Sequence, residues 1–320
     1  MDKAVYKLPS EFIERMKKLY PRDYVEVLHS FLSGKTPSFR CNLIKVSLRD
    51  LLSSLKNLNV KYRSIDWHPL SFLLLSPSQR DFQKEDIYKQ GLVYFQNLSS
   101  MLPVIFLKAF PKDKVLDLCA APGSKTTQIV SETPEVAELT AVEKIKPRFY
   151  KLLANLKNQG QDRFVKVKLG DGIKFWKENE EYFDKVLVDA PCSAEANFRL
   201  ANPKSYSYWS YRKVKESQHK QKGLLYSGIK SLKPGGKLVY STCTFSPEEN
   251  EEVVNWAIDK FKGGVYLENF NLPFKNYKDG IIEWKGKKYS DSLKFTKRIM
   301  PDDKMEGFFI AVLRKPYPIS

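Results

Sequence analysis

Residues 115–126 have the sequence VLDLCAAPGSKT, the pattern of a strand, a tight turn and the start of a helix. The first four residues are mostly apolar, which is typical of a buried parallel strand. Small residues form the turn, and we expect a helix from Lys125. In open α/β sheets the first turn of this kind contacts the cofactor, because small residues let the backbone approach it closely.

The alternation of apolar strands and amphipathic helices continues to the end of the chain. Further strands are predicted at 139–143, 164–167, 185–188, 238–240 and 307–313, and helices at 149–156, 221–232 and 248–261. The segment Lys233-Pro234-Gly235-Gly236 predicts a helix end followed by a turn. Alternation of this length is typical of an α/β fold with a doubly wound, mostly parallel sheet.

The residues before this pattern predict a smaller α+β unit. Apolar residues have helical spacing from Pro9 to about Ser33, and Ser47 is placed to cap another helix. Strands are expected at 39–44, 62–67 and 72–75. We therefore predict a small N-terminal domain at 1–88 and a larger domain at 89–320.

The chain is strongly basic along its whole length. It contains 54 lysine and arginine residues against 37 aspartate and glutamate residues, a formal net charge of +17. Such a distribution is expected of a protein that holds a polyanion over a broad surface, which favours a nucleic acid as partner. A proteome that is rich in lysine throughout would give the same charge, so this argument alone leaves the partner open.

The four cysteines are far apart in the sequence, and they include no C-x-x-C pair and no neighbouring histidine. A zinc site is therefore not expected, and a core of this size needs no disulfides. The sequence has no 18-residue apolar segment and no signal-like N-terminal stretch. We expect a soluble, cytoplasmic protein without a bound metal, and a monomer is favoured.

Two of the cysteines, Cys192 and Cys243, each follow a predicted buried strand. The carboxyl ends of parallel strands meet at one edge of a sheet, where such folds bind their ligands. Two thiols in one crevice suggest covalent chemistry. For Cys41 and Cys119 we expect the ordinary role of a small buried hydrophobic residue, with the backbone of Cys119 more important than its sulfur.

The turn at 119–125 excludes two common nucleotide sites. The G-x-G-x-x-G pattern is absent, and Cys119 and Ser124 stand where a phosphate-binding loop requires glycine. Three acidic residues, Glu143, Asp171 and Asp189, follow three successive predicted strands. Glu143 is placed for the two hydroxyls of a ribose, and Asp171 for the amino group of an adenine. Each acid alone would be explained as a helix cap or a solvated loop residue, but the set indicates S-adenosylmethionine.

At these positions the chain resembles the RsmB/NOP (Nol/Nop/Sun) family of RNA 5-methylcytosine methyltransferases. The resemblance covers roughly residues 90–315 and is carried by CAAPGSKT (119–126), DAPCS (189–193), LKPGG (232–236), YSTCT (240–244) and PEENE (247–251). The segment FRCN (39–42) is similar to the Arg-x-Asn stretch of that family. The combined pattern is specific, whereas no single fragment would be.

The resemblance implies a class I S-adenosylmethionine-dependent methyltransferase with a Rossmann-like fold, preceded by an RNA-recognition-like domain. It implies rRNA or tRNA as partner, Cys243 as nucleophile toward carbon 6 of cytosine, and Cys192 as the cysteine that releases the product. Asp189 would stabilise the adduct at the ring nitrogen, and Lys125 would orient Asp189 or lower the pKa of a thiol. The implied cofactor-binding residues are Cys119, Ala120, Ala121, Pro122, Gly123, Ser124, Lys125, Glu143, Arg148, Asp171 and Asp189.

The chain departs from the family at Ala194-Glu195-Ala196, where Gly-x-Gly is usual. A residue with a Cβ in the left-handed conformation costs on the order of 1 kcal/mol or more, so we expect a different loop path near the target base. Two segments that follow, Asn197–Arg199 and Tyr206–Arg212, fit two interpretations equally. Their side chains either stack on bases and pair with phosphates or pack as an ordinary loop and helix.

Two other functions compete with RNA methylation. A DNA cytosine methyltransferase also carries a Pro-Cys motif, but it uses that cysteine as nucleophile and needs no second thiol. A non-catalytic RNA-binding relative that assists ribosome assembly would be favoured by loss of either cysteine or of Asp189. Because all three residues are present, the sequence favours an RNA-modifying enzyme.

Overall fold

The structure, a computed structural model, describes residues 5 and 7–317. Its first part contains five helices and four strands. The helices are α1 (Ser10–Leu19), α2 (Tyr24–His29), α3 (Leu48–Asn57), α4 (Gln79–Phe82) and α5 (Asp86–Lys89). The strands are β1 (Ser38–Cys41), β2 (Lys61–Ser64), β3 (Ser71–Ser76) and β4 (Val93–Phe95).

The four strands form an antiparallel sheet in the order β2-β3-β1-β4. Helix α3 packs on this sheet through Leu51 and Leu55, and the Ser47 hydroxyl caps it by accepting from the Asp50 backbone N–H at 3.1 Å. Strand β4 lies after residue 88 and is hydrogen-bonded to β1. The domain boundary at 88/89 stays a prediction.

The second part contains five helices and eleven strands. The helices are α6 (Leu98–Leu107), α7 (Ser124–Glu132), α8 (Lys146–Asn158), α9 (Tyr211–Ser231) and α10 (Glu251–Phe261). The strands are β5 (Lys114–Asp117), β6 (Glu138–Glu143), β7 (Lys166–Leu169), β8 (Phe183–Asp189), β9 (Leu232–Thr242), β10 (Tyr266–Leu267), β11 (Tyr277–Asp279), β12 (Glu283–Trp284), β13 (Lys287–Lys288), β14 (Lys297–Ile299) and β15 (Phe308–Arg314). Within the described residues, no helix is both long and apolar enough to cross a membrane.

Nine of these strands form one sheet in the order β11-β14-β15-β9-β8-β5-β6-β7, with β10 paired to β15. Strands β7, β6, β5, β8 and β9 are parallel, and the strands beyond β9 are antiparallel. The predicted doubly wound, mostly parallel sheet is confirmed. Its strand order reverses beside β5, which is where open sheets of this class bind their ligands.

Three local predictions differ from the structure. Helix α9 begins ten residues earlier than the apolar pattern indicated, because the Ser210 hydroxyl caps it at Tyr211. Helix α10 begins at Glu251 rather than Glu248. Segment 233–236 lies inside β9, where Gly235 at φ +76° accommodates an irregularity and its N–H donates to the Lys315 carbonyl at 2.8 Å.

Buried apolar side chains and a buried ion pair attach the N-terminal helices to the larger part of the chain. Phe12 and Phe31 pack on Phe198 and belong to the same apolar cluster as Phe245. The Arg15 guanidinium binds both carboxylate oxygens of Glu248 at 3.0 and 2.5 Å, and both side chains are more than nine-tenths buried. Helix α1 therefore rests directly on the segment that follows Cys243.

The buried Arg15–Glu248 pair predicts a pH-dependent stability. Burial by itself raises the pKa of Glu248, but the hydrogen bond and charge of Arg15 outweigh it and lower the pKa to about 2. A lowered carboxyl pKa stabilises the fold above the unfolded value of about 4.5, and this contribution is lost as the pH falls toward 2. We expect Glu248→Gln to reduce the free energy of unfolding by about 3 kcal/mol at pH 7, and by less below pH 4.5.

Urea unfolding of both proteins between pH 3 and pH 7 measures this difference. The matched control is Glu14→Gln, which removes an exposed ion pair with Lys17 on the same helix and should change stability little. An equal loss of stability at every pH would contradict the prediction.

Candidate active site

The loop after β5 is shaped by one residue that must be glycine. Gly123 lies at φ +110° immediately before α7, and a Cβ there would come within 2.9 Å of Leu152 Cδ1. The left-handed conformation is accessible to glycine without strain. Ala120 and Ala121, which belong to the same loop, are buried. The predicted turn of small residues therefore packs closely between β5 and the first turn of α7.

A cavity of about 260 Å³ opens at the carboxyl ends of β5, β6 and β7. It brings together four of the predicted cofactor-binding residues, namely Cys119, Glu143, Arg148 and Asp171. Apolar side chains, among them Ile145 and Ile173, line the same space. A mostly apolar cavity with a few oriented polar groups is the usual form of a site for a small cofactor.

The two predicted carboxylates of this cavity are oriented by neighbouring donors. Glu143 accepts from the Ile145 backbone N–H at 2.7 Å and is itself almost fully buried. Asp171 accepts from the Ile173 backbone N–H at 3.1 Å and from Lys144 Nζ at 2.7 Å. Each carboxylate therefore has a fixed orientation at the wall of the cavity.

Arg148 contacts the loop rather than only lining the cavity. Its Nη2 donates to the Ala121 carbonyl at 2.5 Å, and its Nη1 lies 3.4 Å from Glu143 Oε2. The Arg148 side chain therefore connects the loop after β5 to Glu143 at the end of β6. Burial raises the pKa of the nearby Cys119 thiol well above its usual value, which agrees with a structural rather than a reactive cysteine.

Sequence reasoning missed Asp117, the last residue of β5. Its Oδ2 accepts from the Thr126 hydroxyl at 2.7 Å, whereas its buried Oδ1 has no hydrogen-bond partner within the described part of the chain. Burial raises the pKa of Asp117 to about 6. Asp117 lies near the end of a predicted strand and two residues before Cys119, and this position is the feature of the sequence that could have identified it.

The buried Lys125 and the partly exposed Asp189 form an ion pair at the centre of the site. Lys125 Nζ donates to Asp189 Oδ2 at 2.7 Å and to Ser100 Oγ at 2.8 Å. The Ser241 hydroxyl donates to the other oxygen of Asp189 at 2.7 Å. Of the two predicted roles of Lys125, this geometry corresponds to the orientation of Asp189.

Cys192 and Cys243 lie side by side, with their sulfurs 3.4 Å apart. The hydrogen bond with Cys243, followed by burial, raises the pKa of Cys192 well above its usual value. Either sulfur can donate the hydrogen bond that joins the two thiols. The Asn197 amide also donates to Cys243 Sγ, at 3.5 Å. The sulfur of Cys243 thus contacts both the Cys192 thiol and the Asn197 amide.

A buried carboxylate, Glu249, holds the neighbours of both cysteines. It accepts from the backbone N–H and the hydroxyl of Ser193, which follows Cys192. It also accepts from the hydroxyl of Thr244, which follows Cys243, at 3.3 Å, and from Gln221 Nε2 at 2.9 Å. From the sequence, Glu249 was recognisable only as part of the motif PEENE, and no neighbouring pattern indicated its hydrogen-bond partners.

A second buried carboxylate, Glu195, comes from the segment in which the chain departs from the family pattern. It accepts from the Thr244 hydroxyl at 2.8 Å and the Phe245 backbone N–H at 2.9 Å. It also accepts from the Ser246 hydroxyl at 2.7 Å and the Trp209 indole N–H at 2.9 Å. Three of these hydrogen bonds fix the segment after Cys243, and the fourth holds Trp209.

The same segment corrects one expectation. We expected the loop to avoid the left-handed conformation, yet Ala194 adopts it at φ 54°. The cost of that conformation is on the order of 1 kcal/mol, less than the hydrogen bonds of the adjacent Glu195 can contribute. A buried anchor therefore maintains a backbone shape that glycine would adopt freely.

The Arg-x-Asn stretch connects the N-terminal sheet to the first loop. Arg40 Nε donates to Gln96 Oε1 at 2.8 Å, and its Nη2 donates to the Ser124 carbonyl and the Thr127 hydroxyl at 3.2 and 2.5 Å. Gln96 in turn donates to the Ser100 carbonyl at 3.1 Å, and the Ser100 hydroxyl accepts from Lys125. A chain of polar contacts thus extends from β1 to the Lys125–Asp189 pair.

Comparison with known proteins decides the family. The model of the 16S rRNA methyltransferase RsmB/F domain matches residues 104–314, and the model of the N-terminal domain of 16S rRNA methyltransferase RsmF matches residues 8–98. The chain belongs to the RsmB/F methyltransferase family. The predicted family, methyltransferase activity and S-adenosylmethionine cofactor are confirmed.

Relatives of this methyltransferase act on two kinds of RNA. It is 38% identical to a tRNA (cytosine(49)-C(5))-methyltransferase of Pyrococcus abyssi over 97% of both chains. It is 32% identical to ribosomal RNA small subunit methyltransferase F of Pectobacterium carotovorum, but spans only 63% of that protein. A crystal structure of a methyltransferase homologue from Pyrococcus horikoshii superposes with a TM-score of 0.83, at 29% identity over 98% of this chain and 99% of the other.

The aromatic segments before α9 divide between the two interpretations that the sequence left open. Phe198 and Tyr206 are buried in the apolar cluster that includes Phe12 and Phe31, and Arg199 is ion-paired with Glu306. These residues pack as part of the fold. Tyr208 is 72% exposed, and Arg212 also points to solvent.

The contacts of Arg40 predict an effect on cofactor binding. Arg40→Lys keeps the positive charge but cannot reach Gln96 and the first turn of α7 together. We expect roughly tenfold weaker binding of S-adenosylmethionine, measured by titration calorimetry, because buried hydrogen bonds that hold the loop are lost. Arg63→Lys, at an exposed position of the same sheet, is the control. Unchanged affinity with only a lower melting temperature would refute the coupling.

Glu249 predicts a pH dependence opposite in sign to that of Glu248. Burial, with the charge of Glu195 added, raises the pKa of Glu249 to about 7. A raised carboxyl pKa destabilises the fold as the pH rises from about 4.5 to about 7, because only the folded state retains the proton there. Relative to Glu249→Gln, we expect the wild type to lose about 3 kcal/mol of unfolding free energy over this range.

Urea unfolding at intervals from pH 4.5 to pH 8 measures this slope. The control is Glu283→Gln at an exposed position, which should leave the slope of the wild type unchanged. Parallel curves for the wild type and Glu249→Gln would show that Glu249 does not titrate in this range.

Proposed function

We propose that this protein methylates carbon 5 of a cytosine in a transfer RNA, with Cys243 as the nucleophile and Cys192 as the residue that completes the reaction. The pair of thiols 3.4 Å apart carries this proposal, since it lies beside the Lys125–Asp189 ion pair at the strand ends that also form the cofactor cavity. The membership in a family of RNA methyltransferases supports the same reaction class.

The reaction requires covalent catalysis. Carbon 5 of cytosine is a poor nucleophile, and a thiolate that adds to carbon 6 makes carbon 5 enamine-like. S-adenosylmethionine, when bound, supplies the electrophilic methyl group. The target base must leave its stack to reach these groups.

The two cysteines have different roles because their surroundings differ. The Asn197 amide donates to Cys243 Sγ at 3.5 Å, and the Cys192 thiol lies 3.4 Å from the same sulfur, so both groups can donate to Cys243 when it attacks as a thiolate. Once Cys243 is bonded to carbon 6, the main cause that raises the pKa of Cys192 is gone. Cys192 then loses its own proton to water and, as a thiolate, takes the carbon-5 proton, directly or through a water. The electron pair of the carbon 5–hydrogen bond forms the carbon 5–carbon 6 double bond and breaks the bond from carbon 6 to sulfur, which releases Cys243 as a thiolate.

Asp189 acts on the ring rather than on the thiols. Lys125 and Ser241 hold its two oxygens, which fixes the carboxylate at the end of β8 beside both cysteines. In its protonated form Asp189 donates to the ring nitrogen and passes its proton there as negative charge develops, which stabilises the adduct, and the proton returns to Asp189 when the adduct resolves. Lys125 positions it for this step.

The residues of the cofactor cavity fit S-adenosylmethionine. Ile145 and Ile173 offer apolar surfaces for an adenine, Asp171 an acceptor for its amino group, and Glu143 an acceptor for ribose hydroxyls. Asp117 directly precedes Leu118, which lines the cavity, and its Oδ1 has no hydrogen-bond partner among the described residues, so this oxygen is an acceptor suited to the amino group of the methionine part. The cofactor-site assignments made from the sequence belong to this proposal.

A transfer RNA is favoured by the extent of similarity. The Pyrococcus abyssi protein named for cytosine 49 of tRNA aligns over 97% of its own length, whereas the ribosomal RNA methyltransferase of Pectobacterium aligns over 63%. Cytosine 49 is therefore the first position to examine. A cytoplasmic location and a monomeric state stay predictions.

Methyl transfer from labelled S-adenosylmethionine to unmodified tRNA and ribosomal RNA tests the proposal. Cys243→Ala should be inactive and form no adduct, because the nucleophile is absent. Cys192→Ala should accumulate a covalent protein–RNA complex on a denaturing gel, because the adduct forms but cannot resolve. Cys41→Ala, at a buried cysteine of the N-terminal sheet, should retain activity as the matched control.

Three outcomes would overturn parts of the proposal. An adduct in Cys243→Ala with an inactive, adduct-free Cys192→Ala would reverse the two cysteine roles. Methylation of ribosomal RNA without methylation of transfer RNA would show that ribosomal RNA is the substrate. No transfer by the wild type to either RNA would favour a non-catalytic RNA-binding protein.

A further inference from the structure

A second cavity lies on the other side of Cys192. It has a volume of about 310 Å³ and is bounded by Cys192, Tyr208, Trp209, Lys213 and Lys220. Lys220 also lines the cofactor cavity, so the two spaces are adjacent. The cavity therefore borders Cys192, at the site of methyl transfer, and is distinct from the cofactor cavity.

Two aromatic rings with different properties form one wall of this cavity. The Trp209 ring is held in place, because its N–H donates to Glu195 at 2.9 Å and its face meets the edge of Phe12 at a centroid distance of 5.6 Å. The neighbouring Tyr208 is 72% exposed. An exposed aromatic side chain beside a fixed one offers a flat, apolar surface to a planar ligand.

The charges around the cavity favour an anion. Lys213 Nζ lies 5.3 Å from the centre of the Tyr208 ring, and Lys220 lies at the border with the cofactor cavity. Glu216 also lines the cavity, and its carboxylate is paired with Arg212 at 3.0 Å. Aromatic faces together with lysines are the combination that binds single-stranded nucleic acid.

We propose that this cavity binds the base of the nucleotide next to the target cytosine in the RNA chain, stacked on Tyr208. The proposal rests on the proposed function and extends it to a second subsite. A cytosine attached to Cys243 lies next to Cys192, because the two sulfurs are 3.4 Å apart, and Cys192 lines the cavity. The adjacent base loses its stacking partner when the cytosine leaves the stack, and Tyr208 replaces that partner.

A double-mutant cycle between protein and RNA tests this proposal. The tRNA that accepts the methyl group is assembled from synthetic pieces with an abasic nucleotide on the 5′ side, on the 3′ side or on neither side of the target cytosine. With the wild type, one of the two abasic RNAs should lower kcat/KM by about tenfold, the loss expected for one stacked base. With Tyr208→Ala, the intact RNA should show the same loss, and the abasic site should cause no further loss.

Two variants separate stacking from folding. Tyr208→Phe keeps the ring and should restore the wild-type value together with sensitivity to the abasic site. Tyr266→Ala removes another exposed tyrosine, on β10 of the nine-stranded sheet, and should leave kcat/KM unchanged for all three RNAs.

Two results would overturn the proposal without touching the methylation mechanism. If Tyr208→Ala and both abasic RNAs act additively, the cavity does not hold a neighbouring base. If Tyr208→Ala abolishes methyl transfer at saturating RNA, the cavity holds the target cytosine itself. Adduct formation by Tyr208→Ala/Cys192→Ala shows separately that covalent catalysis is intact, so failure here is distinguishable from failure of the proposed function.

Discussion

The arrangement of the active site depends on two carboxylates that are buried with no cation at hydrogen-bond distance among the residues that the structure describes. Glu249 binds the residue after Cys192 and the residue after Cys243, and Glu195 binds the second of these loops at three further points. Burying a carboxylate is costly unless its lone pairs are satisfied. Because three donors surround each group and the Thr244 hydroxyl is shared between them, the cost is offset and the two loops are fixed relative to one another. The short distance between the two thiols follows from this.

Two adjacent glutamates, Glu248 and Glu249, have pKa values shifted in opposite directions because their surroundings differ. Glu248 faces Arg15, which lowers its pKa to about 2, whereas Glu249 faces Glu195 and has a pKa raised to about 7. One carboxylate attaches helix α1 to the catalytic part, and the other holds the thiol loops together. Glu251 completes the pattern through its buried ion pair with Arg298. The motif PEENE therefore serves three separate attachments.

The N-terminal part of the chain contacts the active site in two places. Arg15 reaches the segment after Cys243, and Arg40 reaches the first turn of the helix that follows the cofactor loop. Both guanidinium groups are almost fully buried. These buried contacts join the N-terminal sheet and the N-terminal helices directly to the segments that carry the catalytic groups.

The sequence by itself determined the parts of this protein that depend on short-range patterns. The strand, turn and helix at 115–126, the acids after successive strands and the two cysteine motifs were all recognisable, because strand and helix periodicity act over a few residues. Tertiary structure alone decided what surrounds them. Arg15 lies 233 residues from Glu248 in the chain, and Glu195 lies 49 residues from Thr244. Whether a charge is buried, and which donors satisfy it, depends on segments that only folding brings together.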